Sequence, residues 1–275
     1  MICIYSILHF ILHFLQIYDK IIKRKVILMA EASYTNGFQI TYTESKVEHP
    51  ILWESHCHTQ FEMIAVAEGD VTVTLEGQGY RLTKNQVMMI PPLFYHSVNA
   101  NNRGKYRRLT ALFSIDAIPE AWRGELIEQG RVAEISGGNI ERIREFSEKE
   151  NPSFYAPLIT SLMIQILYDV LQKRQPHTEP IADEFLQKTL RYIDEHLNQK
   201  ITLDELARHT ARSKSSFCHL FEKKMNISPK QYILQKKLAL ASKLIDEGVP
   251  HTVAAMRVGF DHYSNFYRLY RKKVE

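Results

Sequence analysis

Apolar residues recur with a period of two in the N-terminal part of this chain and with a helical period in the rest. From residue 39 to about residue 113, apolar and polar residues alternate in short runs, as in residues 71–75 (VTVTL). Turn-forming sequences separate these runs at residues 68–70, 76–79 and 101–104. Alternation with a period of two, interrupted by regular turns, is typical of short strands in a sandwich or small barrel. We therefore predict an all-β domain in this region.

A helical period replaces the alternation between about residues 118 and 177. Its apolar residues recur three and four positions apart and form one stripe: Phe154, Leu158, Leu162, Met163, Ile166, Leu167, Val170 and Leu171. This stripe is too apolar for a lone exposed helix, so we expect a partner to cover it. Residues 176–180 (PHTEP) have the composition of a joint between two modules.

The last ninety residues also have a helical period, but in shorter segments. Thr202 and Glu205 have the spacing of a capping box, and Ser213 is a typical N-cap for a second helix. Apolar residues at helical spacing give these two helices an inner face: Leu203, Leu206, Ala207, Phe217, Leu220 and Phe221. Two short helices joined by a tight turn form a helix-turn-helix, whose second helix enters the major groove.

A second pair of short helices follows a longer one. Ser228 and Pro229 predict the start of a helix that Gly248 ends, and its length of about 18 residues gives a rod of roughly 27 Å. Residues 252–258 and 262–273 then predict two helices around a turn. One turn of DNA is about 34 Å long. A helix of this length could hold the two helix-turn-helix motifs on neighbouring major-groove faces of one duplex.

Charge separates the two parts of the chain. Residues 186–275 contain 17 Lys and Arg against 9 Asp and Glu, whereas residues 1–185 contain 18 against 22. The net charge of +4 therefore combines a basic C-terminal part with an acidic N-terminal part. A basic helical module suggests binding to nucleic acid.

The C-terminal third of the chain resembles the DNA-binding domain of the AraC/XylS family of bacterial transcription regulators. The matching residues are 201–207, 213–217, Leu220, Phe221, Ser228, Pro229, Gln231, Tyr232, Leu238, Ala241, Leu244, Gly259, Phe260, Ser264, Phe266 and 270–272. Two features depart from the family. His251, Val253 and Ala254 replace the usual Ile, acidic residue and Ile, and the usual Gly-x-x-Pro turn does not follow before Glu275. We therefore expect the second motif to be the less stable one.

The resemblance also implies which residues face DNA. Carried over by position, the first recognition helix presents Lys214, Ser215, Cys218 and His219, and the second presents Tyr263, Ser264, Asn265, Tyr267 and Arg268. Arg with guanine and Asn with adenine are the chemically sensible base pairings. Arg212, Lys223, Lys224 and Arg271 are expected to contact phosphates, which position a protein without specifying sequence.

The strand-rich region resembles the cupin superfamily. His56, Cys57 and His58 precede Glu62 and Gly69 at the spacing of the first cupin motif, and Pro91 and His96 match the second. The second motif is imperfect, because Asn85 and Leu93 stand at usual glycine positions and Asn99 is one residue early. A cupin in front of this DNA-binding domain is a familiar arrangement in the AraC family, so the two resemblances support each other.

In enzymatic cupins the residues at the positions of His56, His58, Glu62 and His96 hold Fe, Mn, Ni or Zn. The resemblance therefore implies either a divalent metal site or, as in sensory cupins, the polar lining of an effector pocket. Trp53, Tyr80, Phe94 and Tyr95 are aromatic candidates for stacking on a sugar or an organic acid, and they are equally candidates for the core. We predict no catalytic residue and no obligatory cofactor.

The first 28 residues differ from the rest. Residues 1–18 are rich in Ile, Leu and Phe, and basic residues follow them, which is the reverse order of a secretory signal. We expect the natural start at Met29; a membrane anchor within residues 1–25 is the alternative. Cys3, Cys57 and Cys218 have neither disulfide-framework nor zinc-finger spacing, which fits a reducing cytoplasm.

We therefore predict a multi-domain protein with an N-terminal all-β cupin and an all-α C-terminal domain of two helix-turn-helix motifs joined by a long helix. The predicted segments are an extraneous or mis-set start at residues 1–28, a cupin-like sensor at 29–117, a helical dimerisation region and linker at 118–180, and the DNA-binding domain at 181–275. The dimerising role of the third segment is implied by the AraC resemblance.

The predicted function is a homodimeric, cytoplasmic transcription regulator that binds promoter DNA and a small-molecule effector. RNA polymerase becomes a further partner if the regulator is an activator. Two alternatives stay open. One is a metal-dependent cupin enzyme fused to a DNA-binding tail, and the other is a constitutive regulator whose cupin only dimerises.

Overall fold

The computed structural model describes residues 25–28, 37–47, 51–52, 55–101, 103–127, 131–136, 138–150, 152–173 and 183–274. Residues described up to 173 belong to one compact unit, and residues described from 183 onward belong to a second. Among the described residues, the first unit contains strands in two sheets together with three α-helices and a short 3-10 helix (Ile115–Ala117), whereas the second unit is helical. The predicted order of a sheet-rich domain followed by a helical domain is therefore confirmed.

The N-terminal unit contains two antiparallel sheets. Its strands are β1 (Lys25–Leu28), β2 (Phe38–Val47), β3 (Ile51–Leu52), β4 (Phe61–Glu68), β5 (Asp70–Leu75), β6 (Gln78–Thr83), β7 (Gln86–Ile90), β8 (His96–Ala100), β9 (Gly104–Phe113) and β10 (Arg131–Glu134). The first sheet has the order β1-β2-β9-β4-β7-β10, and the second has the order β3-β8-β5-β6. The helices of this unit are α1 (Glu120–Ile127), α2 (Asn139–Ser147) and α3 (Pro152–Gln172).

The central strand β4 is buried on both faces, and its two faces have different neighbours. On one face, Met63 lies in a hydrophobic core with Leu109 of β9 and Met163 of α3. Side chains alternate between faces along a strand, so Glu62 lies on the opposite face. That face is directed toward the second sheet, because His96 of β8 lies within hydrogen-bonding distance of Glu62.

Helix α3 explains the apolar stripe of the sequence. By length and composition it is the one helix among the described residues that could cross a membrane, from Phe154 to Gln172. Its residues Ile159, Ile166 and Val170, however, are buried in the core against the first sheet. The cupin-like unit itself therefore covers one face of this helix.

Two stretches differ from the sequence-based prediction. Residues 131–134, predicted as part of a helical region, form β10, which pairs with β7 through Val132 opposite Met88. That part of the helical prediction was wrong, because four residues are too few to show a period and the pairing partner is distant in sequence. Strand β1 lies within the segment predicted to be extraneous and pairs with β2, whereas residues 1–24 are outside the described residues.

The C-terminal unit consists of helices whose starts agree with the predicted caps. They are α4 (Glu184–Glu195), α5 (Leu203–His209), α6 (Lys214–Met225), α7 (Pro229–Asp246), α8 (His251–Arg257) and α9 (Tyr263–Val274). The Thr202 N–H donates to Glu205 at 2.8 Å and the Glu205 N–H donates to the Thr202 hydroxyl at 3.2 Å, which completes the capping box. The side chain of Ser213 accepts a hydrogen bond from the N–H of Ser216 at the start of α6, and that of Ser228 accepts one from the N–H of Gln231 at the start of α7, so these helix starts are confirmed.

Each helix-turn-helix has its own core on α7. The first is built around Phe217 and Phe221, and the Phe221 ring lies 5.6 Å from the ring of Tyr232. The second is built around Phe266, which is buried with Ala241 and other small or aliphatic residues of α7 and α8. At the positions that depart from the family, Ala254 is buried while His251 and Val253 are exposed.

Removal of the capping hydroxyl of Thr202 is expected to lower the free energy of unfolding of the C-terminal unit by about 1 kcal/mol. Thr202→Ala leaves the N–H of Glu205 without its side-chain acceptor at the start of α5. Urea unfolding followed by far-ultraviolet circular dichroism measures this loss. Thr202→Ser keeps the hydroxyl and should retain most of the stability; equal losses in both variants would contradict the capping role.

Candidate functional site

Four side chains of the cupin-like unit converge at one end of its two sheets. His56 and His58 lie in the segment before β4, Glu62 is the second residue of β4, and His96 is the first residue of β8. His56 and His96 exchange two backbone hydrogen bonds of 2.9 Å, which places them side by side. One potential ligand atom from each of the four residues lies within 4.8 Å of all the others. The structure thus brings together the residues that the cupin motifs singled out.

Glu62 is the common acceptor at the centre of this cluster. Its Oε2 atom lies 2.8 Å from Nε2 of His96 and 3.0 Å from Nε2 of His58. The opposite ring nitrogens face backbone carbonyls: Nδ1 of His58 lies 2.9 Å from the carbonyl oxygen of Gln60, and Nδ1 of His96 lies 2.8 Å from that of Phe94. Both rings are therefore held at both nitrogens.

Proton counting shows what this geometry requires. A carbonyl oxygen can only accept, so Nδ1 of each ring must carry a proton and donate it. In a neutral ring the Nε2 atom then carries a lone pair instead of a proton, and this lone pair would face an ionised carboxylate. The contacts are favourable if a ring is protonated or if a cation lies between the nitrogens and the carboxylate. An Nδ1–H donated to a carbonyl is also the usual way in which a metal-binding histidine is oriented.

The donor set therefore fits a divalent metal ion. His58 and His96 would coordinate it through Nε2, Glu62 through a carboxylate oxygen and His56 through a ring nitrogen. Three imidazoles and one carboxylate suit Zn, Fe, Ni or Mn. A metal bound here would supply a Lewis-acidic anchor for an oxygen atom of a ligand.

In the metal-free protein the charges of Glu62 and His96 stabilise each other. Burial alone would raise the pKa of Glu62, but the hydrogen bonds and charges of His58 and His96 outweigh burial and hold this pKa well below its ordinary value of 4.5. Burial alone would lower the pKa of His96, but the hydrogen bond and charge of Glu62 raise it above its ordinary value of 6.5. The ion pair is thus favoured at mildly acidic pH.

A pH dependence of stability follows from these two shifts. The lowered pKa of Glu62 contributes stability that is present above pH 4.5 and is lost as the pH falls through its folded pKa. The raised pKa of His96 contributes stability that is present below pH 6.5 and is lost as the pH rises through its folded pKa. Glu62→Gln should therefore cost most between these two values, as measured by urea unfolding in the presence of a chelator. A cost independent of pH would contradict the ion pair.

The aromatic candidates occupy different places. Tyr80 of β6 pairs with Val73, which also pairs with Val98 two residues from His96, so Tyr80 lies on the same face of the second sheet as His96. Tyr95 is buried, and its backbone N–H donates to Glu76 at 2.9 Å. Phe94 is half-buried, and its carbonyl oxygen accepts a hydrogen bond from Nδ1 of His96. Trp53 lies outside the described residues.

Glu76 also supports the histidine and glutamate cluster, although no sequence motif pointed to it. It lies in the turn between β5 and β6, with a positive φ of 48°, and its side chain holds the backbone just before His96. Its negative charge also raises the pKa of His96. A glutamate in a hairpin turn carries no sequence signal of this role, because the strand that it contacts begins about twenty residues later.

The second candidate surface is formed by the two recognition helices. On α6 the residues Lys214, Ser215 and His219 are exposed and Cys218 is half-buried, whereas Phe217 points into the core. On α9 the predicted DNA-facing residues are all exposed around the buried Phe266: Tyr263, Ser264, Asn265, Tyr267 and Arg268. The structure thus places every residue of this prediction on a surface that a ligand can reach.

Three of these residues, Lys214, Asn265 and Arg268, form polar contacts within the protein. Lys214 pairs with Asp204 of α5 at 2.9 Å, and Arg268 donates to the side chain of Asn265 at 3.1 Å. Both contacts are exposed, and exposed ion pairs are worth little, so DNA can replace them at small cost. The Lys214 contact was not predicted from the sequence.

Comparison with known proteins places these two sites in one family. A family model described as an AraC-like ligand binding domain matches residues 48–189, just over half of the chain. The chain belongs to the AraC family. A second model, described as a helix-turn-helix domain, matches residues 206–275 of this AraC-type chain. The resemblance stated from the sequence is therefore confirmed.

Two relatives found by sequence agree with this assignment. The probable transcriptional regulator LumQ of Photobacterium leiognathi is 39% identical over 82 residues, a match that covers 30% of this chain and only 33% of LumQ. The uncharacterized HTH-type transcriptional regulator YobQ of Bacillus subtilis (strain 168) is 25% identical over 224 residues, or 81% of this chain and 86% of YobQ. A structure of ToxT from Vibrio cholerae covers 86% of this chain and 94% of its own, at 9% identity and a TM-score of 0.42.

Proposed function

We propose that this AraC-type protein is a sequence-specific DNA-binding transcription regulator whose cupin-like unit binds a small-molecule effector. The observation that carries the DNA-binding part is the pair of helix-turn-helix motifs on one long helix. Each motif buries a phenylalanine, Phe217 or Phe266, and exposes the residues around it. A basic surface and two exposed recognition helices are what reading of the major groove requires.

The contribution of one base-reading residue can be tested directly. Arg268→Ala is expected to weaken specific binding roughly 10- to 100-fold and to relax the preference at one base position, because a bidentate Arg contact is worth about 1–3 kcal/mol. Lys223→Ala removes an expected phosphate contact and should instead weaken all sequences alike and reduce the salt dependence. Fluorescence anisotropy on selected and scrambled duplexes distinguishes them. Identical effects of both variants would contradict the assignment.

The cupin-like unit supplies the proposed effector site. The half-buried His56 and His58 surround the buried Glu62 and His96, and a small number of converging polar groups in a largely apolar interior is the usual form of a small-molecule site. A sugar or an organic acid offers the hydroxyl or carboxylate oxygens that such a set recognises. Tyr80 provides an aromatic surface on the same face of the second sheet.

A divalent metal ion is the second candidate ligand of this site. It is favoured by the two Nδ1 atoms that face carbonyls while both Nε2 atoms face Glu62. Elemental analysis of the purified protein and the visible spectrum after titration with Co²⁺ test this candidate. Stoichiometric metal that His58→Ala abolishes supports it, and loading that is unchanged by that variant contradicts it.

Dimerisation is proposed through the outer face of α3. Phe154, Leu158 and Tyr168 are 73%, 49% and 49% exposed, and they lie on one side of this helix while its other side is buried in the core. A second copy of the chain would cover these side chains. The variant Phe154→Glu with Leu158→Glu is expected to be monomeric by analytical ultracentrifugation, and an unchanged mass would exclude this face.

Two alternative functions, a metal-dependent enzyme and a constitutive regulator, predict different results from this proposal. A metal-dependent enzyme would turn over a substrate at the metal-loaded cluster, whereas the two relatives named above are described as a probable and an uncharacterized transcriptional regulator. A constitutive regulator would show no ligand-induced rise in melting temperature across a panel of sugars and organic acids. We propose the cytoplasm as the site of action, together with DNA, and RNA polymerase as a partner if the regulator activates transcription.

A further inference from the structure

Lys237 is a buried cation in the middle of α7. Its side chain is 6% exposed, and the burial of a charged group is costly unless polar partners surround it. Its Nζ donates to the carbonyl of Gln199 at 2.6 Å and to that of Gly259 at 3.3 Å. Gln199 precedes α5 of the first helix-turn-helix, and Gly259 lies in the turn between α8 and α9 of the second. One side chain therefore joins both DNA-reading motifs.

The backbone at Gly259 strengthens this junction. Gly259 has a φ of +70°, and a Cβ atom at this position would lie 2.7 Å from the carbonyl carbon and oxygen of Gln199 and 2.8 Å from Nζ of Lys237. A side chain larger than hydrogen would therefore push the two backbone segments apart. An exposed ion pair of 3.2 Å between Lys200 and Asp261 flanks the same contact. We call the contacts among Gln199, Lys237 and Gly259 the inter-motif junction.

The rest of α7 contacts the two motifs separately. Tyr232, near its start, packs on Phe221 of the first motif. Leu238 and Ala241, further along, pack with Phe266 of the second. These cores attach each motif to α7, but the inter-motif junction is where described backbone segments of both motifs meet one side chain. The inter-motif junction thus adds a direct link between the two motifs to the attachment that each has to α7.

We propose that Lys237 is a positioning residue that fixes the separation of the two recognition helices and thereby the spacing between the two DNA blocks that the domain accepts. This inference rests on the proposed function, in which both helices read DNA. Rigid coupling lets both motifs bind only when the second block lies at the matching distance and on the matching face of the duplex. A looser junction tolerates other spacings but loses part of the advantage of bivalent binding.

The test compares duplexes that differ only in spacing. The wild-type protein is expected to bind its selected site about 100-fold more tightly than a site with half a helical turn inserted between the blocks. Lys237→Met has a similar length without the charge and should reduce this ratio to about tenfold or less, mainly through weaker binding to the selected site. Lys237→Arg can still donate to both carbonyls and should restore the ratio.

Lys236→Met is the matched control. Lys236 is the adjacent residue on α7, is 3% exposed, and pairs at 2.9 Å with Asp194 of α4, the helix that precedes the first motif. Its loss should destabilise the unit without changing the ratio between the two spacings. If Lys237→Met keeps the wild-type ratio, or if Lys236→Met reduces it equally, the positioning role is overturned. Gly259→Ala tests the same junction if Lys237→Met does not fold.

A second measurement needs no DNA and so separates this proposal from the proposed function. Spin labels at the exposed positions Glu222 of α6 and Arg271 of α9, in a full-length background with the three native cysteines changed to serine, report the distance between the motifs. We expect a narrow distance distribution for wild type and for Lys236→Met, and a broad or shifted one for Lys237→Met. If the distribution in Lys237→Met is equally narrow and unshifted, the positioning role of Lys237 is overturned. If the wild-type protein shows no sequence-specific DNA binding, only the proposed function is overturned.

Discussion

Phe217→Ala is expected to lower the free energy of unfolding of the C-terminal unit by about 3–5 kcal/mol, because truncation of a buried phenylalanine leaves a cavity in the core. Phe217 is fully buried on the recognition helix α6, with its ring 5.7 Å from that of Phe185 and 6.0 Å from that of Phe221. A typical domain is stable by only about 5–15 kcal/mol, so this variant should lose most of its DNA binding.

The neighbouring residue His219 provides the matched control. It lies on the exposed side of the same helix, so His219→Ala should change the stability by less than about 0.5 kcal/mol. Its expected effect is weaker binding to the selected DNA sequence. Urea unfolding and DNA titration of both variants measure the two quantities separately. A stable Phe217→Ala variant with full DNA affinity would refute the assignment of inner and outer faces on α6.

The second large effect is expected at the histidine and glutamate cluster. The variant His58→Ala with Glu62→Ala should abolish the change in DNA affinity that an effector causes in the wild-type protein, a coupling of roughly 5- to 150-fold in typical allosteric proteins. The two changes remove the central acceptor and one of its two histidine partners. An effector acts only through its different affinities for two arrangements of the protein, so a variant that does not bind it cannot respond.

The effector is first identified by ligand-induced melting against a panel of sugars, organic acids and divalent metals. DNA affinity is then measured with and without that compound. Arg81→Ala is the control in the same unit, because Arg81 is exposed on β6 and pairs with Asp70. It should keep the wild-type response. A full response in the folded double variant would show that the effector binds elsewhere.

Local signals in the sequence predicted the C-terminal unit well. The capping box of Thr202 and Glu205 involves residues three apart, and the caps at Ser213 and Ser228 are equally local. Such patterns survive in the structure because short-range hydrogen bonds determine where a helix begins. The cluster of His56, His58, Glu62 and His96 was predicted from spacing within two motifs together with a family resemblance.

The periodic pattern of the sequence does not predict the long-range contacts of these sites; the pairing of Glu62 with His96 followed only from the family resemblance, and the contacts of Lys237 were not predicted. Glu62 and His96 are 34 residues apart, and Lys237 lies 38 residues from Gln199 and 22 residues from Gly259. Neither contact leaves a periodic pattern, because each depends on how distant elements pack. Lys237 resembles any other basic residue of a helix in the sequence, and only its burial reveals that it joins two motifs.

Sequence-specific recognition by both helix-turn-helix motifs is tested by selecting bound sequences from a random DNA pool at several salt concentrations. We predict a motif of two blocks about one helical turn apart, with one block for each of the helices α6 and α9. A motif of one block would mean that the second helix-turn-helix does not read bases. Recovery of no motif, with binding that falls steeply with salt, would mean that the domain recognises phosphate charge alone and would contradict the proposal of a sequence-specific regulator.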